Sequence, residues 1–240
     1  MPMPSIGLLH LTDFHQGMGG QKTLWPNVKE SFLDDLARLH ERAGPWDAVL
    51  FTGDLTQRGR GTEFEAFDRA LTSILERLQP LGSTPIVLAV PGNHDLQRPP
   101  PSEDLEALAR WHETSATADS FFADRAATHR RLVDSAFSDY ALWWERRVKA
   151  NGQAIHAGEL PGDFRATIEK DGLRLALVGL NSSFLQLRDK MREGELAVDL
   201  RQLLALHDDP PSWLREHHAA LLLTHHPLAW LHPHAQAEFR

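Results

Sequence analysis

The chain contains no cysteine, which excludes disulfides, thiolate metal sites, iron–sulfur clusters and thiol nucleophiles. Any metal must therefore be held by oxygen and imidazole donors, and 14 histidines make that route available. No stretch approaches the roughly 20 consecutive apolar residues of a membrane span. The start, Met1-Pro2-Met3-Pro4-Ser5, lacks the basic segment and apolar core of a secretory signal, so the expectation is a soluble, cytoplasmic protein without a membrane partner. Runs of Lys and Arg are also missing, and the formal net charge is −8. That balance disfavours a broad, non-specific grip on nucleic acid, although it leaves room for a local basic groove. Phosphate chemistry would need its positive charge from elsewhere, such as bound metal.

What is present is an ordinary globular composition. Hydrophobic residues make up 42% and charged residues 24% of the 240 residues, enough for a full core in one domain spanning 1–240. Ile6–Leu11, Trp46–Thr52 and Ile86–Val90 read as buried strands, being short apolar runs rich in branched side chains. Between them, Trp25–Ala43 and Glu63–Leu78 carry apolar residues at helical spacing, the second with Thr62 and Glu65 as its expected capping box. Strand, helix, strand, helix, strand predicts a parallel sheet with right-handed crossovers. Arg98-Pro99-Pro100-Pro101 stops the pattern, and a helical, aromatic-rich stretch comes after it, read as a cap inserted over 98–160 whose aromatics are core. Lys170-Asp171-Gly172 then joins two strand-like runs as a hairpin, and Ala219–Thr224 is the last strand.

Each strand delivers polar residues at its carboxyl end, the edge where open α/β sheets bind ligands. The first leads to Asp13-Phe14-His15, where alternation along an extended segment puts both side chains on one side. The second ends in Gly53-Asp54, the third in Pro91-Gly92-Asn93-His94-Asp95, and the last in His225-His226-Pro227. Adjacent histidines on an extended segment face opposite ways, so one of that pair can face a site. Asn181-Ser182-Ser183 reads as a turn that caps the next segment of chain. Arg58 and Arg60, after Asp54, read as solvent-facing loop residues.

Asp13, His15, Asp54, Asn93, His94 and His225 together resemble the motif set of the calcineurin-like metallophosphoesterases: D-x-H, G-D, G-N-H-D, then a later H. The resemblance implies a four-layer α-β-β-α sandwich holding two divalent metals (Mn, Fe, Zn or Co, manganese first). It implies that Asp13 and His15 bind one ion, Asp54 bridges both, and Asn93 and His225 bind the other. His94 is then not a ligand but the residue that stabilises the transition state or protonates the leaving oxygen. A metal-bound hydroxide attacking phosphorus in line is the implied mechanism, and a small or nucleotide-derived phosphoester the implied substrate. A metal-dependent nuclease and a non-catalytic scaffold or sensor domain are the alternatives. The family's final G-H-x-H is absent from the sequence. His232-Pro233-His234 has the spacing without the glycine and is read as a loop, so the expectation is a fragment of a longer, multidomain protein.

Overall fold

We describe a computed structural model of the chain, covering residues 4–151, 155–189 and 193–238. Strands β1 (Leu8–Leu11), β2 (Ala48–Thr52) and β3 (Ile86–Val90) form a parallel sheet in that order. Leu11 lies opposite Phe51, and Thr52 opposite Val90, so the three carboxyl ends finish level at one edge. That common edge is what gathers the motif residues. All five residues of β3 are buried, as a continuous apolar run in a parallel sheet requires.

Helix α1 (Gln21–Ala43) connects β1 to β2, and α2 (Gly61–Leu78) connects β2 to β3. The first starts earlier than the apolar spacing foretold, because its opening turn is polar and carries no periodic signal. On α2, Phe64, Phe67, Ala70, Leu71, Ile74 and Leu78 are buried, the stripe expected from their spacing. Its start corrects the Thr62–Glu65 expectation. Arg60 is the N-cap, and the Glu63 carboxylate accepts from the Arg58 and Arg60 amides at 2.9 and 3.3 Å.

The aromatic-rich stretch forms α3 (Glu103–Ala109), α4 (Ser115–Ala123), α5 (Thr128–Ala136) and α6 (Ser138–Asn151). Trp143 and Tyr140 of α6 are wholly buried, and both satisfy their polar atoms. Tyr140 donates its hydroxyl to the Ala89 carbonyl at 2.9 Å, and Trp143 Nε1 donates to Asp68 Oδ1 at 2.7 Å. These two bonds fasten α6 to β3 and α2.

A second sheet contains β4 (His156–Ala157), β5 (Phe164–Lys170), β6 (Leu173–Gly179) and β7 (Ala219–Leu223). The β5–β6 hairpin closes on Asp171-Gly172, with φ of 50° and 81°, the left-handed pair that suits a two-residue turn. β7 pairs parallel to β6 and is, among the described residues, an edge strand of this sheet, with Leu221 and Leu222 exposed by 38% and 51%. Short helices α7 (Leu200–Leu204), α8 (Pro210–Arg215) and α9 (Pro233–Glu238) complete the element order. The two sheets share one apolar core, giving a mixed α/β sandwich. No helix among the described residues is long and apolar enough to cross a membrane.

Candidate metal centre

The loops after β1, β2 and β3 converge with the loop after β7. The first does so differently from the alternation argument. β1 ends at Leu11, and Asp13, His15 and Asp54 all adopt positive φ, at 56°, 49° and 54°. This region is uncommon for residues with a side chain and is held here by bonds between the loops. The amides of Asp13, His15 and Gln16 donate to the carbonyls of Gly53, Asp54 and Leu55 at 3.1, 2.8 and 2.9 Å. Left-handed turns, not strand pleating, therefore aim Asp13 and His15 together.

Asp54 is buried at the centre. Its Oδ2 lies 3.5 Å from His15 Nε2 and its Oδ1 lies 3.6 Å from His225 Nε2. The His94 amide donates to Oδ1 at 2.9 Å. Asp13 Oδ1 is 3.6 Å from His15 Nε2, and Asn93 Oδ1 is 3.2 Å from His225 Nε2. His225 Nδ1 donates to the Thr52 carbonyl at 2.8 Å. In the neutral ring this turns the Nε2 lone pair toward Asn93 and Asp54, so three acceptors face one another with no proton between them. A cation satisfies such a set, and its all-oxygen-and-nitrogen chemistry suits a divalent metal. His15 Nδ1 is likewise buried with no hydrogen-bond partner.

The glycines of the motifs have a steric reason. A Cβ on Gly92 would collide with the Asp54 carboxylate, and one on Gly53, at φ 98°, with His225 and the Gly92 backbone.

His94 stands edge-on to His15, with ring centres 4.8 Å apart. Its Nδ1 donates to the Gln57 carbonyl at 2.9 Å. Donor atoms of His15, Asp54 and His94 lie within 4.8 Å of one another, a trio that could hold an ion. Geometry thus places His94 inside the donor group, whereas the resemblance keeps it outside the ligand set.

Asp95, quoted in the motif without a role, is wholly buried. Its Oδ2 accepts from the amides of Leu55 and Gly92 at 3.1 and 2.9 Å, and its Oδ1 from the Thr56 amide and hydroxyl at 2.8 and 2.9 Å. Burial raises the carboxyl to about 6, against the backbone bonds that oppose it. This side chain staples the β2 loop to the β3 loop.

The second sheet has its own fastening. Asn181, Ser182 and Ser183 are wholly buried, and they do more than cap a turn. Ser183 donates its amide to Asn181 Oδ1 at 2.8 Å, which is the local turn. Ser182 Oγ also accepts from the His226 amide at 3.0 Å and meets His226 Nδ1 at 3.0 Å, while Ser183 Oγ donates to the Pro91 carbonyl at 3.2 Å. Burial, then the neighbouring His225, lowers His226 to about 3, so it is neutral and structural. Asp163 anchors this side by accepting from the Asn181 and Leu160 amides at 2.7 and 2.9 Å and from Gln202 Nε2 at 3.0 Å. Its burial raises the carboxyl to about 7.

His232 and His234 belong to neither side of this cluster. The loop expected there is a helix start: Leu231 bridges Leu196, Pro233 opens α9, and His232 Nδ1 accepts from the His234 amide at 3.3 Å. The His232 ring stacks on His112, with centres 3.9 Å apart.

No curated protein matches the chain. The family model described as calcineurin-like phosphoesterase matches residues 6–238, nearly the whole length over which these loops converge, and the chain belongs to that family.

Proposed function

We propose that the protein is a metal-dependent phosphodiesterase or phosphatase acting on a nucleotide-derived phosphoester. Asp13, His15 and Asp54 would hold one divalent cation and Asp54, Asn93 and His225 a second; the oxygen and nitrogen donors admit Mn, Fe, Zn or Co, and we take manganese first. When bound, such ions offset phosphoryl charge and acidify a water, the two things that phosphoester hydrolysis requires.

The chain's own groups supply the remainder. Asp54 divides its two oxygens between His15 and His225, which come from different sheets, so one carboxylate can serve both ions. His94 donates its Nδ1–H to the Gln57 carbonyl, so Nε2 faces the site, and in the doubly protonated ring the Nε2–H is the proton that can pass to a departing oxygen. The bond from the His94 amide to the Asp54 carboxylate keeps that ring beside the bridge.

The placement of Asp54 between His15 and His225 carries this reading. The test is Asp54→Asn in manganese-loaded protein with a bis-aryl phosphodiester. The rate should fall by about a thousandfold, the scale of losing charge stabilisation at the reacting centre. Retained manganese and an undiminished rate would overturn the site assignment.

A further inference from the structure

The loops that continue from Gln57 and from Asp95 enclose a small basic pocket of about 280 Å³, lined by Arg58, Arg60, Leu96, Gln97 and Arg98. It is unusual in a chain of net charge −8. Two otherwise separate loops form it, and their approach is built rather than accidental. Gly59, at φ 62°, packs directly on the Leu96 backbone, where a Cβ would clash. Asp139 of α6 then clamps both sides, its Oδ2 accepting from the Gly61 amide at 2.9 Å and from Gln97 Nε2 at 2.6 Å. Glu63 spends its carboxylate on the Arg58 and Arg60 amides. Neither the Arg58 nor the Arg60 guanidinium has an acidic partner among the described residues. Arg98 pairs with Asp189 at 3.1 Å, but Asp189 is 82% exposed, and such a pair exchanges readily for a phosphate. Pro99, Pro100 and Pro101 stiffen the chain beyond Arg98.

We propose that Arg58, Arg60 and Arg98 form an accessory anion subsite that holds a second phosphate of the substrate while the scissile one lies at Asp54 and His94. The inference rests on the phosphoesterase reading and narrows it to substrates with at least two phosphates. Guanidinium groups match phosphate oxygens in pairs, and three converging on one pocket select for a fully charged phosphate over an aryl or nucleoside group. Gln57 links this pocket to the reacting centre, since it bonds His94 and is followed directly by Arg58.

The test is binding to metal-free protein, so it does not depend on turnover. Dithymidine monophosphate, its 5′-phosphorylated form and decathymidylate are titrated in EDTA at fixed salt. The added 5′-phosphate should tighten binding about tenfold. Arg58→Gln/Arg60→Gln and Arg98→Gln should each erase most of that gain. Arg42→Gln/Arg215→Gln changes charge equally at a distance, on α1 and α8, and should leave the gain intact. Decathymidylate, which has no 5′-phosphate, binding at least as tightly as the phosphorylated dinucleotide would assign the second phosphate to a polynucleotide backbone; binding no tighter than the unphosphorylated dinucleotide would assign it to a terminal phosphate. No gain in the unmodified protein, or a gain lost equally in the remote variant, overturns the subsite. Phosphate-dependent binding in a protein that hydrolyses nothing with any metal would instead overturn the phosphoesterase reading and leave the subsite standing.

Discussion

The two sides of the metal centre are held by the same device applied to different backbones. On the first-sheet side, buried Asp95 gathers Leu55, Thr56 and Gly92, and the residues it steadies include Asp54 with φ of 54°. On the second-sheet side, buried Asp163 gathers Leu160, Asn181 and Gln202, and the positive φ of the turn it closes, 91°, falls on Gly162, where it costs no strain. One carboxylate thus holds a strained rim and the other an unstrained, fully buried one. Donor placement at the strained rim is maintained at a cost in stability, whereas the opposite rim places His225 through packing and hydrogen bonds alone.

The comparison breaks first at the two carboxylates. Asp95→Asn and Asp163→Asn should each cost about 3 kcal/mol, since an amide leaves a buried backbone N–H facing another donor. Urea midpoints of metal-free protein measure this, and a loss below a third of that size in either would show that the loops do not depend on it. Asp163 adds a pH signature. Its folded value is raised to about 7 from an ordinary 3.8, so the native state keeps a proton that the unfolded chain releases. Its contribution to stability is therefore full below about pH 4 and falls as pH rises toward about 7. The Tm gap between unmodified protein and Asp163→Asn should narrow across that window; a widening gap would mean the group is ionised in the fold.

A smaller effect sharpens the second rim. Ser182→Ala removes both contacts to His226 and should cost about 2 kcal/mol, with the His226 amide left buried and unpaired. The smallest effect has the opposite sign. Asp13→Gly relieves a left-handed residue that is half exposed, and should stabilise metal-free protein by about 1 kcal/mol while weakening manganese binding. If that variant is less stable, the first rim carries no backbone strain at Asp13.

Much of this arrangement was legible in the chain. Ile86–Val90 is the strand its apolar run announced, the Asp171-Gly172 turn closes the hairpin its dipeptide signalled, and the stripe from Phe64 to Leu78 is the buried face of α2. Five of the six candidate residues are neighbours because the parallel strands β1 to β3 finish level at one edge, and His225 joins them from the loop after β7 of the second sheet. What stayed hidden depends on the third dimension. Nothing local distinguishes Asp163 from a surface aspartate, and the motif that ends in Asp95 does not announce its burial, since both are buried by segments distant in sequence. Positive φ at Asp13 and His15 has no marker when the residue is not glycine. The pairing of Arg58 and Arg60 with Arg98 depends on Gly59 meeting Leu96 across an interval that no periodicity records.

The exposed edge of β7 has a consequence for handling the protein in concentrated solution. Leu221 and Leu222 face solvent on a strand whose outer backbone groups have no neighbouring strand among the described residues. Such an edge is a template for intermolecular pairing, and it carries no lysine, proline or bulge to discourage it. Refolding yield should therefore fall with protein concentration, because self-association at β7 competes with closure of the native sheet.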